Sequence, residues 1–230
     1  MPFQHVAPIL LLLAAGLAIE LPGVVRLATA DENTPAPPPA ATPAPTPAPP
    51  PKPASVSIAG TVLSTAGGAP KHAVVYLEGG QLSGQPPPVE RPTISQRGAR
   101  FRPEFLVITV GQTVNMPNDD RIVHNVFSVS PVKRFDLGHY PQGELRSVTF
   151  DKPGVIELYC NIHENMQAVV VVTPSKFYGQ VGEDGRYSIP NVPPGKYRLV
   201  AYSPELGQES MQVDLQPGGP VEFALKLKGK

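Results

Sequence analysis

The sequence CNIHENM at residues 160–166 contains the only cysteine of the chain, followed by a histidine three positions later and a methionine six positions later. A second histidine, His124, lies upstream in the sequence HNV at residues 124–126. Together these side chains offer two imidazole nitrogens, one thiolate and one thioether. Two His, one Cys and a weak axial Met are the ligands of type 1, or blue, copper sites. The sequence therefore predicts one copper ion held by His124, Cys160, His163 and Met166.

The residues on either side of this loop have the period of β-strands. Residues 155–160 alternate, so that Ile156, Leu158 and Cys160 share one face and the cysteine points toward the apolar side. Residues 167–173 form a near-continuous valine run, which is typical of a strand that is buried on both faces or central in a sandwich. Asn125, next to the upstream histidine, is the candidate for tying the two ligand segments together; the alternative is an ordinary turn residue.

The sequence does not supply the residues that a structural zinc site, a covalently attached haem or a cysteine nucleophile would need. A closed structural zinc site usually takes four Cys or His ligands, and one cysteine is available here. The sequence CxxCH, which attaches haem covalently, does not occur. A cysteine nucleophile would need a base and an orienting group converging in one cleft. His72 and His139 have no second ligand at motif spacing, and we expect both to be exposed and unliganded.

From residue 55 onward the pattern predicts β-strands, without a sustained helical period. Strands are expected over most of this region, including residues 93–100, 105–110, 122–130 and 145–150. Residues 133–143 are expected to be irregular. The fold class is therefore all-β.

The N-terminal part has a different composition. Residues 6–19 are an apolar run, and Ala28-Thr29-Ala30 fits a small-residue cleavage site, so residues 1–30 are predicted to be a signal peptide of an exported, periplasmic protein. A membrane is involved only if this segment is not cleaved. Residues 31–54 are rich in Pro and Ala and are predicted to be an extended linker. The 19 basic and 19 acidic residues balance, which gives no indication of nucleic-acid binding.

The residues around the ligands resemble those of a known family. Residues 111–119, 124–128, 150–154 and 160–166 are similar to the successive motifs of cupredoxins, with a ligand spacing like that of amicyanin. Residues 101–103, 124–130, 133–137 and 160–163 give a closer resemblance, to bacterial exported proteins described as methylamine utilisation or plastocyanin-like proteins. It implies a Greek-key β-sandwich over residues 80–174, with His124 and His163 as imidazole ligands, Cys160 as the thiolate and Met166 as the axial ligand.

The flanking segments resemble a second family. Residues 55–79 and 175–228, with DGRY at 184–187 and PPGKY at 193–197, are similar to the two ends of a carboxypeptidase regulatory-like, transthyretin-like β-sandwich. Together they have the size of one small domain. We predict that the cupredoxin is inserted into this second sandwich. The alternative is an extended cupredoxin followed by an incomplete domain, in which the strands of residues 55–79 would pair with the copper domain.

These resemblances imply a protein that is not an enzyme but carries single electrons between redox partners. The partner would be a periplasmic redox protein, such as a cytochrome c, an oxidase or a dehydrogenase. Two other functions fit the same residues. The chain could bind copper for delivery or sensing, or it could be a cell-surface interaction module in which copper is incidental.

Overall fold

A computed structural model describes residues 55–82, 84–217 and 221–228. The described part of the chain consists of β-strands, together with one short 3-10 turn at Gly80–Leu82. The all-β prediction is thus confirmed. In chain order the strands are β1 (Val56–Ser64), β2 (Val74–Glu78), β3 (Ser95–Gln96), β4 (Phe101–Arg102), β5 (Phe105–Thr109), β6 (Thr113–Pro117), β7 (His124–Ser128), β8 (Phe135–Tyr140), β9 (Leu145–Thr149), β10 (Gly154–Tyr159), β11 (Gln167–Thr173), β12 (Tyr178–Gln180), β13 (Arg186–Val192), β14 (Gly195–Ser203), β15 (Gly207–Leu215) and β16 (Val221–Leu227).

Strands β3 to β11 form the middle sandwich. One sheet has the order β5-β11-β10-β7-β8, and a smaller sheet pairs β6 with β9. Between the sheets lies an apolar core that includes Phe101, Ile108, Tyr140 and Leu158, all fully buried. Alternation along each strand sends every second side chain into this core. The result is the two-sheet sandwich that the cupredoxin resemblance implies.

The strands on either side of the middle sandwich pair with one another. β1 lies between β13, to which it is antiparallel, and β16, to which it is parallel. β2 lies between β12 and β14, and β15 extends that sheet on the far side of β14. Within the described residues, β1 and β2 form no ladder with the middle sandwich. This is the pairing that an inserted arrangement requires, although the domain boundaries themselves stay a prediction.

The two sandwiches meet along the outer face of β5 and β11. Val107 and Val171 on that face are buried against Val74 of β2. Partly buried residues from both sides complete this contact: Tyr76, Phe105, Val169, Tyr178 and Tyr202. The inner face of β11 packs in the core of the middle sandwich through Ala168, Val170 and Val172. β11 is therefore covered on both faces, as its valine run predicts.

Two local predictions are wrong. The strand expected over residues 93–100 is limited to Ser95–Gln96, because the chain turns back at Gly98 and Ala99. Residues 135–140, expected to be irregular, form the edge strand β8. Three steps of β8 oppose two steps of β7 near Gly138, which has a φ of 66°. This β-bulge interrupts the alternation of apolar residues on which the strand prediction depends.

The predicted signal peptide (1–30) and linker (31–54) lie outside the described residues. Across the ranges that the structure describes, it contains no helix with the length and apolar character needed to cross a bilayer.

Candidate metal centre

Three of the four predicted ligands come together at one end of the middle sandwich. His124 is the first residue of β7, and Cys160 directly follows β10, the neighbouring strand. His163 lies three residues further along, in the loop that leads to β11. Because β7 and β10 are neighbouring strands, His124 lies close to Cys160, although 36 positions separate them in the sequence.

The ligand atoms face one another. Nδ1 of His124 lies 3.2 Å from Nδ1 of His163, and Sγ of Cys160 lies 4.0 Å from Nδ1 of His163. The three ligand atoms all lie within 4.8 Å of one another. Metal–nitrogen bonds of about 2.0 Å and metal–sulfur bonds of about 2.3 Å place two ligand atoms of one ion no more than about 4.3 Å apart. The two measured separations satisfy this limit.

The chemistry of these donors fits copper. A thiolate suits Cu(I), whereas imidazole suits Cu(II), so the set can hold either oxidation state. Among the described residues, this is the one cluster of three or more His, Cys, Asp or Glu side chains with metal-binding geometry. His124 and Cys160 are buried, and His163 is partly exposed.

Met166 is placed next to this cluster in the chain. Its side chain is fully buried and belongs to the same apolar core as Cys160. Its backbone N–H donates a hydrogen bond of 3.0 Å to the carbonyl oxygen of His163, which closes the ligand loop. The role of Met166 as an axial ligand stays a prediction.

Asn125 links the two ligand segments. Its side chain is 1% exposed, and its Oδ1 accepts a hydrogen bond of 2.9 Å from the backbone N–H of Asn161, next to Cys160. Its Nδ2 donates a hydrogen bond of 2.8 Å to Oδ1 of Asp136 on β8. The predicted tie between the segments is thus confirmed. The same residue also anchors the third strand at this end of the sheet.

Asp120 is a residue of this site that the sequence did not reveal. Its Oδ2 lies 2.8 Å from Nε2 of His124, the ring nitrogen on the side opposite to the other ligands. Burial raises the pKa of this carboxyl group, but hydrogen bonds from two backbone amides and the imidazole outweigh burial and leave the net pKa below its ordinary value. An ionised carboxylate only accepts hydrogen bonds. It therefore selects the tautomer in which Nε2 carries the proton, and Nδ1 of His124 presents its lone pair to the site.

The remaining histidines do not join the cluster. His139 is exposed, as predicted, but its Nε2 lies 3.1 Å from Oδ1 of Asn161 and so contacts the ligand loop. The side chain of His72 is 26% exposed, and its ring stacks on Phe105 with the ring centroids 5.3 Å apart. His72 is thus more enclosed than expected.

Exposed aliphatic side chains stand next to both histidines of the cluster in the chain. Ile122 and Val123 directly precede His124, and Ile162 directly precedes His163. These three side chains are 48%, 44% and 45% exposed. Large aliphatic side chains therefore adjoin both predicted histidine ligands in the chain and are accessible to solvent.

Solved structures with similar segments include several copper proteins. The chain is 28% identical to a copper-containing nitrite reductase from Thermus scotoductus SA-01 over 36% of its own length and 22% of that chain, with a TM-score of 0.35. It is 26% identical to a purple cupredoxin from Nitrosopumilus maritimus over 36% of this chain and 99% of that chain, with a TM-score of 0.34. A mutant of amicyanin in its Cu(I) form is 20% identical over 43% of this chain and 98% of that chain, with a TM-score of 0.35. TM-scores of this size do not establish the fold of the whole chain.

A family model described as polysaccharide lyase family 4, domain II, matches residues 163–221. The match runs from the metal-ligand loop through β15, and it covers too little of the chain to assign a family. No curated protein matches. The transthyretin-like resemblance of the flanking segments stays a prediction.

Proposed function

We propose that this protein is an exported type 1 copper protein that carries single electrons between redox partners. The observation that supports this proposal is the convergence of two imidazole Nδ1 atoms and the only thiol of the chain at one end of a β-sandwich. A bound copper ion would supply the one-electron chemistry by alternating between Cu(I) and Cu(II).

The residues around the ligands serve this function by holding them in place. Asp120 fixes the ring of His124, and Asn125 fixes the loop that begins at Cys160. The ligands come from a folded sheet and a short loop, so they have little freedom to rearrange. A small rearrangement between oxidation states favours fast electron transfer, and neighbouring hydrogen bonds tune the potential.

The route for the electron follows from exposure. Cys160 and His124 are buried, whereas His163 is partly exposed beside Ile162. A partner would therefore approach the centre at His163, and the apolar side chains around it would form the contact. With 19 basic and 19 acidic residues, long-range steering by net charge contributes little. We propose a periplasmic cytochrome c, oxidase or dehydrogenase as the partner class.

The test is to purify the chain, add one equivalent of Cu(II) and record visible and electron paramagnetic resonance spectra. We expect an intense thiolate-to-copper charge-transfer band, narrow copper hyperfine splitting and reversible electrochemistry. Cys160→Ser should abolish the band, whereas His72→Gln, which removes an imidazole outside the cluster, should retain it. A colourless complex in the unmodified chain would refute the proposal. Transfer of the metal to an apo acceptor without redox cycling would indicate copper delivery instead.

A further inference from the structure

The hairpin that joins β3 and β4 lies beside the metal centre. Its connection is the sequence RGAR at residues 97–100, and the backbone N–H of Arg97 donates a hydrogen bond of 2.9 Å to the carbonyl oxygen of Arg100. The two central residues, Gly98 and Ala99, have φ values of 67° and 49°. Two successive positive φ values are the requirement of a type I′ hairpin turn.

Ala99 is unusual in this turn. Glycine and asparagine are the residues that commonly adopt positive φ, because a Cβ atom crowds the backbone there. Among the described residues, Asn191 is the other non-glycine with a positive φ, of 58°. A strained residue persists when its surroundings fix its conformation. The surroundings of Ala99 therefore need to be identified.

The turn binds the carboxylate of Asp120. The backbone N–H of Gly98 donates a hydrogen bond of 2.7 Å to Oδ1, and that of Ala99 donates one of 2.9 Å to Oδ2. Successive amides in such a conformation form a concave anion-binding arrangement. The same Oδ2 accepts the hydrogen bond from Nε2 of His124. One carboxylate thus connects the tip of the hairpin to the imidazole of a metal ligand.

Further hydrogen bonds hold this connection in place. The backbone N–H of Asp119 donates to the carbonyl oxygen of Gln96 at 3.0 Å, next to the turn. The backbone N–H of Asp120 donates to Oδ1 of Asn118 at 2.9 Å. Nδ2 of Asn118 in turn donates to the carbonyl oxygen of Ile122 at 2.9 Å. These hydrogen bonds attach the segment 118–122 to the hairpin and fix the conformation of the segment just before His124.

We propose that the turn Gly98–Ala99 is a positioning element for His124. By clamping both oxygens of Asp120, the turn keeps this carboxylate aimed at Nε2 and so keeps Nδ1 free to bind a metal. The proposal deepens the proposed function, and its effect on a copper potential rests on that function. The effect of the turn on the imidazole does not rest on the proposed function, because the tautomer of His124 can be measured without any metal.

The proposal is tested on the full chain without metal, with nitrogen-15 NMR of the histidine rings. In the unmodified chain, we expect His124 to be the tautomer with the proton on Nε2. In Ala99→Val, the β-branched side chain opposes the positive φ, and we expect the tautomer with the proton on Nδ1 to become populated. Ala99→Gly should resemble the unmodified chain, since glycine retains both the amide and the conformation. Asn191→Val, with comparable strain in the other sandwich, should leave the His124 signals unchanged.

Titration with a metal ion is a second test of the proposal. Loss of an outer partner of a metal-binding histidine typically lowers affinity 10–100-fold. We therefore expect Ala99→Val to bind Zn²⁺ about tenfold more weakly than the unmodified chain, and Ala99→Gly to bind it equally well. An unchanged tautomer and unchanged Zn²⁺ affinity in folded Ala99→Val would overturn the proposal.

The unmodified chain provides a test that does not depend on folding of the variants. The amides of Gly98 and Ala99 donate to a charged acceptor, so their hydrogen exchange should be at least about tenfold slower than in an unstructured peptide. Exchange of both amides at the unstructured rate would overturn the proposal. These outcomes are independent of copper spectra. A colourless copper complex would therefore refute the electron-transfer function while leaving the role of the turn intact.

Discussion

Asn125→Ala should destabilise the metal-free protein, because this side chain joins three segments. The substitution removes the hydrogen bond to the backbone N–H of Asn161 and the hydrogen bond to Asp136. A net hydrogen bond contributes about 0.5–1.5 kcal/mol, and both of these bonds join the buried Asn125 to residues that are exposed. Asp136 keeps the hydrogen bond from the N–H of Gly138, so the loss of its bond to Asn125 lies at the low end of this range. We expect the free energy of unfolding to fall by about 1–3 kcal/mol.

The measurement is urea unfolding of the chain without metal. The midpoint should shift to lower urea at an unchanged slope, and the melting temperature should fall by about 2–12 °C for a chain of this size. Ser147→Ala is a suitable control, because Ser147 Oγ donates an exposed hydrogen bond of 2.9 Å to Asn115 Oδ1, away from the ligand loop. The control should change stability by less than about 0.5 kcal/mol. A loss no larger than this for Asn125→Ala would refute the reasoning.

Two other predictions concern a buried tyrosine and the exposed apolar rim. Burial raises the pKa of Tyr140 to about 12. The neutral side chain of Tyr140 therefore makes its full contribution to the stability of the fold below pH 10, and this contribution is lost as the pH rises from 10 toward 12. Tyr140→Phe should make unfolding less steeply dependent on pH in that range, and an unchanged slope would contradict this. Ile162→Glu should slow electron exchange with a redox protein without altering the copper spectrum. Val129→Glu, also exposed but at the far end of β7, should leave the exchange rate unchanged, and equal effects would argue against docking at His163.

Residue type and spacing were sufficient to predict the ligand cluster. Cys160 and His163 are close in sequence, so their proximity follows from a short loop. His124 could be placed near them because it supplies the second imidazole of a ligand set with two His, one Cys and one Met. The burial of both faces of β11 could also be predicted from residue type, because a run of valines without alternation gives the strand two apolar faces.

Asp120 could not be predicted in the same way. Its partners at Gly98 and Ala99 lie 22 and 21 residues upstream, and a turn of this kind binds an anion through backbone amides, which have no sequence signature. Two adjacent acidic residues before a strand also fit an ordinary turn. Strand β8 was missed for a different reason. A bulge changes which face each side chain occupies, and the period of two then fails as a guide.

The pairing of β2 with β12 has a consequence for synthesis of the chain. Tyr76 and Tyr178 are direct neighbours across these strands, although the whole middle sandwich lies between them in sequence. On the ribosome, which adds roughly 5–20 residues per second, β2 must wait roughly 5–20 s for its partner to be made. Towards the end of that interval the middle sandwich has all of its own strands, whereas the partners of β1 and β2 have still to be made. The order of synthesis therefore favours completion of the middle sandwich first, with the flanking strands pairing with one another afterwards.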